Sequence, residues 1–243
     1  MVPRHVPQLE PCRPKNATEG DDGRAIRMGE AAGGTLLRMD QAEVALPVTI
    51  PHRLGRGLFV NAHGQRFINE DTYYGHIGIE ALFRQDGRVW LLVDDAIFEV
   101  NMVGMQPAHV AESVAELEEE AGFPAGALQA TVEHYNRYAK EGRDPVFGKR
   151  PEMTRALDRP PFALLDARPE SCFYACMTLG GLATRPGGEV IGPDGTVVPG
   201  LYAAGRTAAL FAGRGYAGSG LSLGDGAFFG RRAGRSAATA PPV

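Results

Sequence analysis

Between Pro199 and Leu223 the chain passes through Pro199-Gly200-Leu201-Tyr202-Ala203-Ala204-Gly205. A glycine-rich loop then closes on Gly218-Ser219-Gly220-Leu221-Ser222-Leu223. Residues 201–204 read as a small apolar strand stopped at Gly205, and 227–238 as a final helix with Arg231, Arg232 and Arg235 on its wet side. Small residues let a planar ligand approach the backbone closely. A helix start offers unpaired N–H groups and the positive end of the helix dipole, which stabilise negative charge on a ligand. The plainer reading, a glycine-rich turn that only packs a helix on a sheet, stands beside it. A literal G-x-G-x-x-G also occurs at Gly213, Gly215 and Gly218. No strand-like run leads directly into it and no second strand follows, so it does not satisfy the dinucleotide-binding pattern.

The rest of the chain narrows the class. With 243 residues it has room for one or two domains, and a formal net charge of -4 gives no reason to expect nucleic acid or an anionic membrane as partner. Three cysteines, Cys12, Cys172 and Cys176, do not describe a disulfide framework, and a reducing, cytoplasmic setting is the default. Cys172 and Cys176 lack the further ligands of a metal site, so none is expected, and they read as small buried apolar residues. Residues 1–14 have no apolar secretory core and read as an irregular lead-in. No run approaches the ~18 apolar residues of a membrane span.

Residues 24–37 read as a short helix, with Ile26, Met28, Ala31 and Ala32 as its apolar face and Gly33-Gly34 as its end. Asp22 stands where it can cap the helix start. Residues 58–61 and 66–69 predict a hairpin around 62–65, and Val89-Trp90-Leu91-Leu92-Val93 a buried strand ended by Asp94-Asp95. Ser113 and Glu116 have capping-box spacing for a helix to Gly122. Residues 124–140 predict a second helix burying Leu128, Val132, Tyr135 and Ala139, closed by Gly142. Pro160-Pro161-Phe162 reads as an extended linker, and 189–191 as a strand between two turns. Without regular βαβ alternation, the middle of the chain reads as α+β.

Several ordered segments carry a resemblance. They are Asn16-Ala17-Thr18-Glu19-Gly20-Asp21-Asp22-Gly23 with the helix after it, Gly57-Leu58-Phe59-Val60-Asn61 with Gly64-Gln65-Arg66-Phe67-Ile68-Asn69-Glu70, Thr178-Leu179-Gly180-Gly181-Leu182, and Pro199 to Gly205. Together these resemble the fumarate reductase/succinate dehydrogenase flavoprotein family, nearest its 3-ketosteroid Δ1-dehydrogenase-like branch. The likeness covers about residues 16–236 and corresponds to the C-terminal portion, without the N-terminal dinucleotide-binding motif. It implies an α/β, Rossmann-like FAD-binding domain, present in part as residues 1–45 and 169–243. An α+β cap domain, residues 46–168, interrupts it.

The resemblance implies FAD as cofactor, held by Asp22, Ala204, Gly205, Arg206, Gly218, Ser219, Gly220, Ser222 and Leu223. It also implies hydride transfer between a carbon–carbon bond beside a carbonyl and the flavin. Tyr74 then handles the proton, while Tyr216 and the Gly220 N–H polarise the ketone. The fumarate reductase alternative needs cationic clamps for a dicarboxylate. Tyr74 stands at its arginine position and Cys176-Met177 where it carries a histidine. Each site residue has a plainer role open to it. Tyr74 can be a packing residue, Tyr216 a cover for the glycine loop, His76 a surface histidine rather than a proton relay, and Arg206 a surface cation. The partners expected are a small-molecule substrate and a companion chain carrying the missing segment, or a second copy. A non-catalytic fragment or binding module is the other class.

Overall fold

The computed structural model describes residues 1–48, 52–212 and 215–241. Its regular elements are α1 (Val2–His5), α2 (Arg24–Ala31), β1 (Leu36–Leu37), β2 (Ala42–Ala45), β3 (Leu58–Asn61), α3 (Tyr74–Ile79), β4 (Val89–Asp94), β5 (Pro107–Ala111), α4 (Val114–Glu120), α5 (Ala127–Ala139), β6 (Phe162–Asp166), β7 (Ala175–Thr178), β8 (Gly181–Leu182), β9 (Glu189–Ile191), β10 (Val197–Tyr202) and α6 (Leu221–Thr239). This is a mixed α/β chain with small sheets. It divides into two compact units: Met1–Glu10, Lys15–Glu43 and Cys176–Val243 form one, and Pro11–Pro14 with Val44–Ala175 the other.

The second unit is built on an antiparallel sheet in the order β3-β4-β6-β5. Leu92 of β4 lies opposite Leu58 on one side and Leu164 on the other. Leu91, Leu92 and Val93 are all fully buried, so successive residues, which point to opposite faces, are both covered. α4 packs on β5 and β6, and α5 on α4. Asp94 ends β4 as expected: its Oδ1 accepts the Ile97 N–H at 3.0 Å. Its Oδ2 accepts those of Asp158 and Arg159 at 3.2 and 3.1 Å. The Ser113–Glu116 capping box is present in both directions, and α5 buries the four residues its spacing predicts.

In the first unit, Leu182, Val190, Ala203 and Ala208 make a small core with Leu36, Val198 and Leu201. β1 pairs with β8, and β9 with β10 through a bulged register. α2 lies so close to β8 that a Cβ at Gly29 would fall 2.3 Å from Leu182 Cδ1. A side chain there would have to displace Leu182.

Several expectations are corrected. The lead-in is not irregular: α1 and a 3-10 turn at Pro7–Leu9 form there, because Val6 and Leu9, three apart, are buried on one side. α2 ends at Ala31, and Leu36 and Leu37 belong to a strand. Its buried side is Ile26 and Gly29, with Met28 exposed. The hairpin has one strand only. Residue 66 makes a single bridge to Val60, because the Arg66 and Glu70 side chains are drawn into an ion-pair cluster. β3 finds its ladder partner in β4 instead. Phe162 starts a strand rather than ending a linker, and β5, which carries Pro107 and His109 at a shifted register, was not foreseen. α6 begins at Leu221, six residues before the predicted start, because the glycines there carry no apolar period. Cys176 is buried as expected, whereas Cys172 is only half-buried.

Candidate functional site

In the first unit the loop before α2 is fixed by its own aspartates. Asp21 Oδ2 accepts the Thr18 N–H at 3.0 Å, and Asp22 Oδ1 the Arg24 N–H at 2.8 Å. Asp22 Oδ2 also meets the Arg24 guanidinium at 2.8 Å. The Arg24 N–H, chiefly, holds the Asp22 carboxyl below the usual carboxylate range. This loop, α1, Thr178, Gly180 and Arg206 line a cleft of about 680 Å³. Asp22 and Arg206, far apart in sequence, therefore share one cleft. Arg206 Nη1 donates to the Asn16 carbonyl at 2.8 Å. That bond fixes its stem beside the same loop.

A second cavity of about 670 Å³ lies at the start of α6, lined by Phe211, Gly218, Ser219, Gly220, Gly224 and Asp225 among others. Gly220 precedes the helix at φ 88°, a backbone state that favours glycine. Gly218 and Gly224 have no such constraint, and a Cβ on either would meet nothing within 4 Å. No protein neighbour demands their smallness. Ser222 Oγ is buried and has no hydrogen-bond partner, while the Ser222 N–H donates to the Tyr216 hydroxyl oxygen at 2.8 Å. Open space above glycines and an orphaned hydroxyl at a helix start fit the edge of a flat, acceptor-rich ring such as FAD carries.

The other predicted residues are placed differently. Ala204 and Gly205 line neither cavity. Gly205, at φ 60°, would direct a Cβ to within 3.6 Å of the Gly226 Cα, so it serves the packing of α6. Leu223 is 80% exposed. Gly213 of the G-x-G-x-x-G lies outside the described residues. Tyr74 belongs to the second unit, where it opens α3 half-buried, its ring 4.4 Å from that of Tyr73. His76 is exposed, its ring edge-on to Tyr73.

Sequence reasoning missed two features. One is Asp225, buried within the α6 cavity and bonded to the Phe211 N–H at 3.4 Å. Burial pushes its carboxyl up, and that bond only partly offsets it. The other is a buried charge cluster four residues before Tyr74. Arg66 forks onto Glu70 at 2.9 and 2.7 Å and reaches Asp144 at 2.8 Å. Lys149 Nζ meets Glu70 at 2.9 Å and the Gly57 carbonyl at 2.8 Å. Burial alone would raise the Glu70 carboxyl, but Lys149 and Arg66 hold it below its ordinary range. The only sequence trace of the cluster is the i,i+4 spacing of Arg66 and Glu70. Among the described residues no group of three or more His, Cys, Asp or Glu could hold a metal, and no helix is long and apolar enough to cross a membrane.

A family model described as FAD binding domain matches residues 7–223. The 3-oxo-5-alpha-steroid 4-dehydrogenase of Comamonas testosteroni is 28% identical over 207 residues, covering 76% of this chain and 39% of that protein. A fumarate reductase (cytochrome) of Shewanella frigidimarina is 30% identical over 232 residues, covering 90% and 40%. Among solved structures, the 3-ketosteroid-delta4-(5alpha)-dehydrogenase of Rhodococcus jostii RHA1, in complex with 4-androstene-3,17-dione, superposes with a TM-score of 0.86 at 45% identity. It covers 98% of this chain and 50% of that one. The chain thus spans 39% and 40% of these two curated relatives and half of that solved chain.

Proposed function

Since this chain belongs to the FAD binding domain family, with FAD as its cofactor, we propose that it forms the ring-facing and substrate-covering parts of a dehydrogenase that desaturates a 3-oxosteroid beside its ketone. In this reading the unit containing α2, β8–β10 and α6 holds the cofactor, and the unit built on β3-β4-β6-β5 is the cap. The contacts to the ADP half of FAD come from a dinucleotide-binding loop outside residues 16–236, on a companion chain or on a longer form of this one. A second copy of the chain would be a further partner.

The residues divide the work. Asp22 and Arg206 line the cleft that takes the cofactor's polyhydroxyl chain, Gly218, Ser219 and Gly220 border the ring edge, and Ser222 supplies its N–H from the first turn of α6. FAD bound there would supply the acceptor for a hydride from the carbon one bond beyond the position next to the ketone. Tyr74 takes the proton from the position next to the ketone. Tyr216 and the Gly220 N–H donate to the ketone oxygen and favour the charge that develops there. The dicarboxylate reading is disfavoured, because Tyr74 and Cys176-Met177 supply no cations where fumarate reductase chemistry needs them.

The observation that carries the flavin reading is the start of α6. Gly218 and Gly224 face space that no protein atom fills, and the Ser222 hydroxyl at the same helix start has no hydrogen-bond partner. The steroid assignment rests on the 45% identity over 98% of the chain. The experiment is a titration of the purified chain with FAD, followed by flavin fluorescence and visible absorbance. Saturable binding that perturbs the flavin spectrum is expected. A chain that leaves the free FAD spectrum unchanged at every concentration counts against the reading.

A further inference from the structure

The first four N–H groups of an α-helix have no partner within the helix, and here they belong to a helix of 19 residues. One of them is already taken. The Tyr216 hydroxyl oxygen accepts the Ser222 N–H at 2.8 Å, and its ring is buried, with only 4% exposed. This is a side-chain cap supplied from six residues upstream. Resting on the proposed flavin site, a conflict follows, because the Ser222 amide is one of the donors that the flavin edge would use. One N–H cannot serve both acceptors at full strength.

The surroundings of Tyr216 are suited to its leaving. Gly215, at φ 92°, stands just before it, and two residues on is Gly218, where a Cβ would meet nothing within 4 Å. Small residues commonly absorb such backbone changes. The buried Ser222 Oγ has no hydrogen-bond partner and would gain one from an acceptor arriving at the helix start. Tyr216 is also the residue assigned to the substrate ketone. While its oxygen accepts the Ser222 N–H, that bond fixes the direction in which its O–H can donate.

We propose that Tyr216 is a displaceable plug: its hydroxyl holds the Ser222 amide until the flavin edge takes that donor, and the released hydroxyl then turns to the substrate ketone. Cofactor binding and formation of the ketone-binding group are thereby one event. A substrate-like ketone binds well only to the flavin-loaded protein.

The test compares the chain with Tyr216→Phe, which keeps the ring and removes only the competing oxygen. FAD affinity is read by fluorescence titration. Loss of one competing hydrogen bond predicts FAD binding tighter by about five-fold. Equal or weaker binding overturns the plug and leaves the flavin site standing. If neither form binds FAD, the flavin reading falls and the plug with it. A second measurement does not depend on the variant folding. With 3-fluorotyrosine at position 216, the fluorine resonance should shift on adding FAD, with the same saturation curve as the flavin fluorescence. An unmoved resonance in protein that has bound FAD overturns the proposal.

Discussion

Lys149 Nζ lies 2.9 Å from Glu70 Oε2, and both side chains are fully buried. Burying two charges costs several kcal/mol for each, so the pair persists only with further bonds. Arg66, the Phe59 N–H and the Gly57 carbonyl supply them. The pair thus ties β3 to the 144–149 segment and sets the path of the chain that leads to Tyr74. Removing one partner leaves the other uncompensated. Lys149→Met should destabilise the protein by about 3–5 kcal/mol. Lys149→Met with Glu70→Leu should cost less than the sum of the two single changes. Urea unfolding of the four proteins of this double-mutant cycle checks it, and additive losses would refute the coupling.

Acid should unfold the protein through its paired carboxyls. Burial opposes ionisation of Glu70, Asp144 and Asp166, but Lys149 and Arg66, Arg66, and Arg168 with Ser171, respectively, bring each below its ordinary value. Their contribution is fully present above the unfolded values of ~4 and is lost as pH falls through the lower folded ones. Glu43 and Asp225, raised by burial, have the opposite sign, gaining stability as pH falls through their raised values. Urea midpoints measured from pH 7 to pH 3 should therefore fall, and fall more steeply in Asp225→Asn than in Asp166→Asn relative to their own values at pH 7. A flat profile in the native chain would contradict the assignment.

Much of the second unit was legible in the sequence, for local reasons. The Ser113–Glu116 box and the Leu128, Val132, Tyr135 and Ala139 period depend on residues a few positions apart, and both are found as predicted. β5 and β6 were missed because their pairing spans about fifty residues and Pro160-Pro161 signals a break. The start of α6 was hidden because glycines hold a helix only when tertiary contacts support it, as Gly226 does against Gly205. At the candidate site, the residue types were legible and their partners were not. Tyr216 could be named, but nothing in its neighbours announced that its oxygen would accept the Ser222 N–H.

The cap that was missed and the cap that was foreseen can be ranked. Glu118, buried, accepts the N–H groups of Gly126, Leu128 and Gln129 at 2.6, 2.7 and 3.2 Å, and so caps α5 from the preceding helix. Ser113 accepts one N–H at an exposed helix start. Glu118→Ala should cost about 2–3 kcal/mol and Ser113→Ala about 1 kcal/mol in chemical denaturation. Equal losses would show that Glu118 is not the main anchor of α5.

Gly224 separates folding from binding. It sits in the first turns of α6, where a Cβ meets nothing within 4 Å. Gly224→Ala should leave the fold intact and raise stability by up to about 1 kcal/mol through helix propensity. The added methyl projects into the cavity assigned to FAD, so affinity for FAD should fall at least several-fold. Stability is read by thermal unfolding and affinity by fluorescence titration. A more stable variant with unchanged flavin affinity would place the ring elsewhere.

The most direct measurement is anaerobic mixing of the FAD-loaded protein with a saturated 3-oxo-5α-steroid, followed by the visible absorbance of the flavin. The blue absorbance should bleach as the steroid is desaturated. In Tyr74→Phe, loaded with FAD to the same extent, bleaching should slow by about 10²–10⁴-fold, the range for loss of a proton-transfer group. Absorbance that stays oxidised in the native protein, or bleaching as fast in Tyr74→Phe as in the native chain, would contradict the assignment.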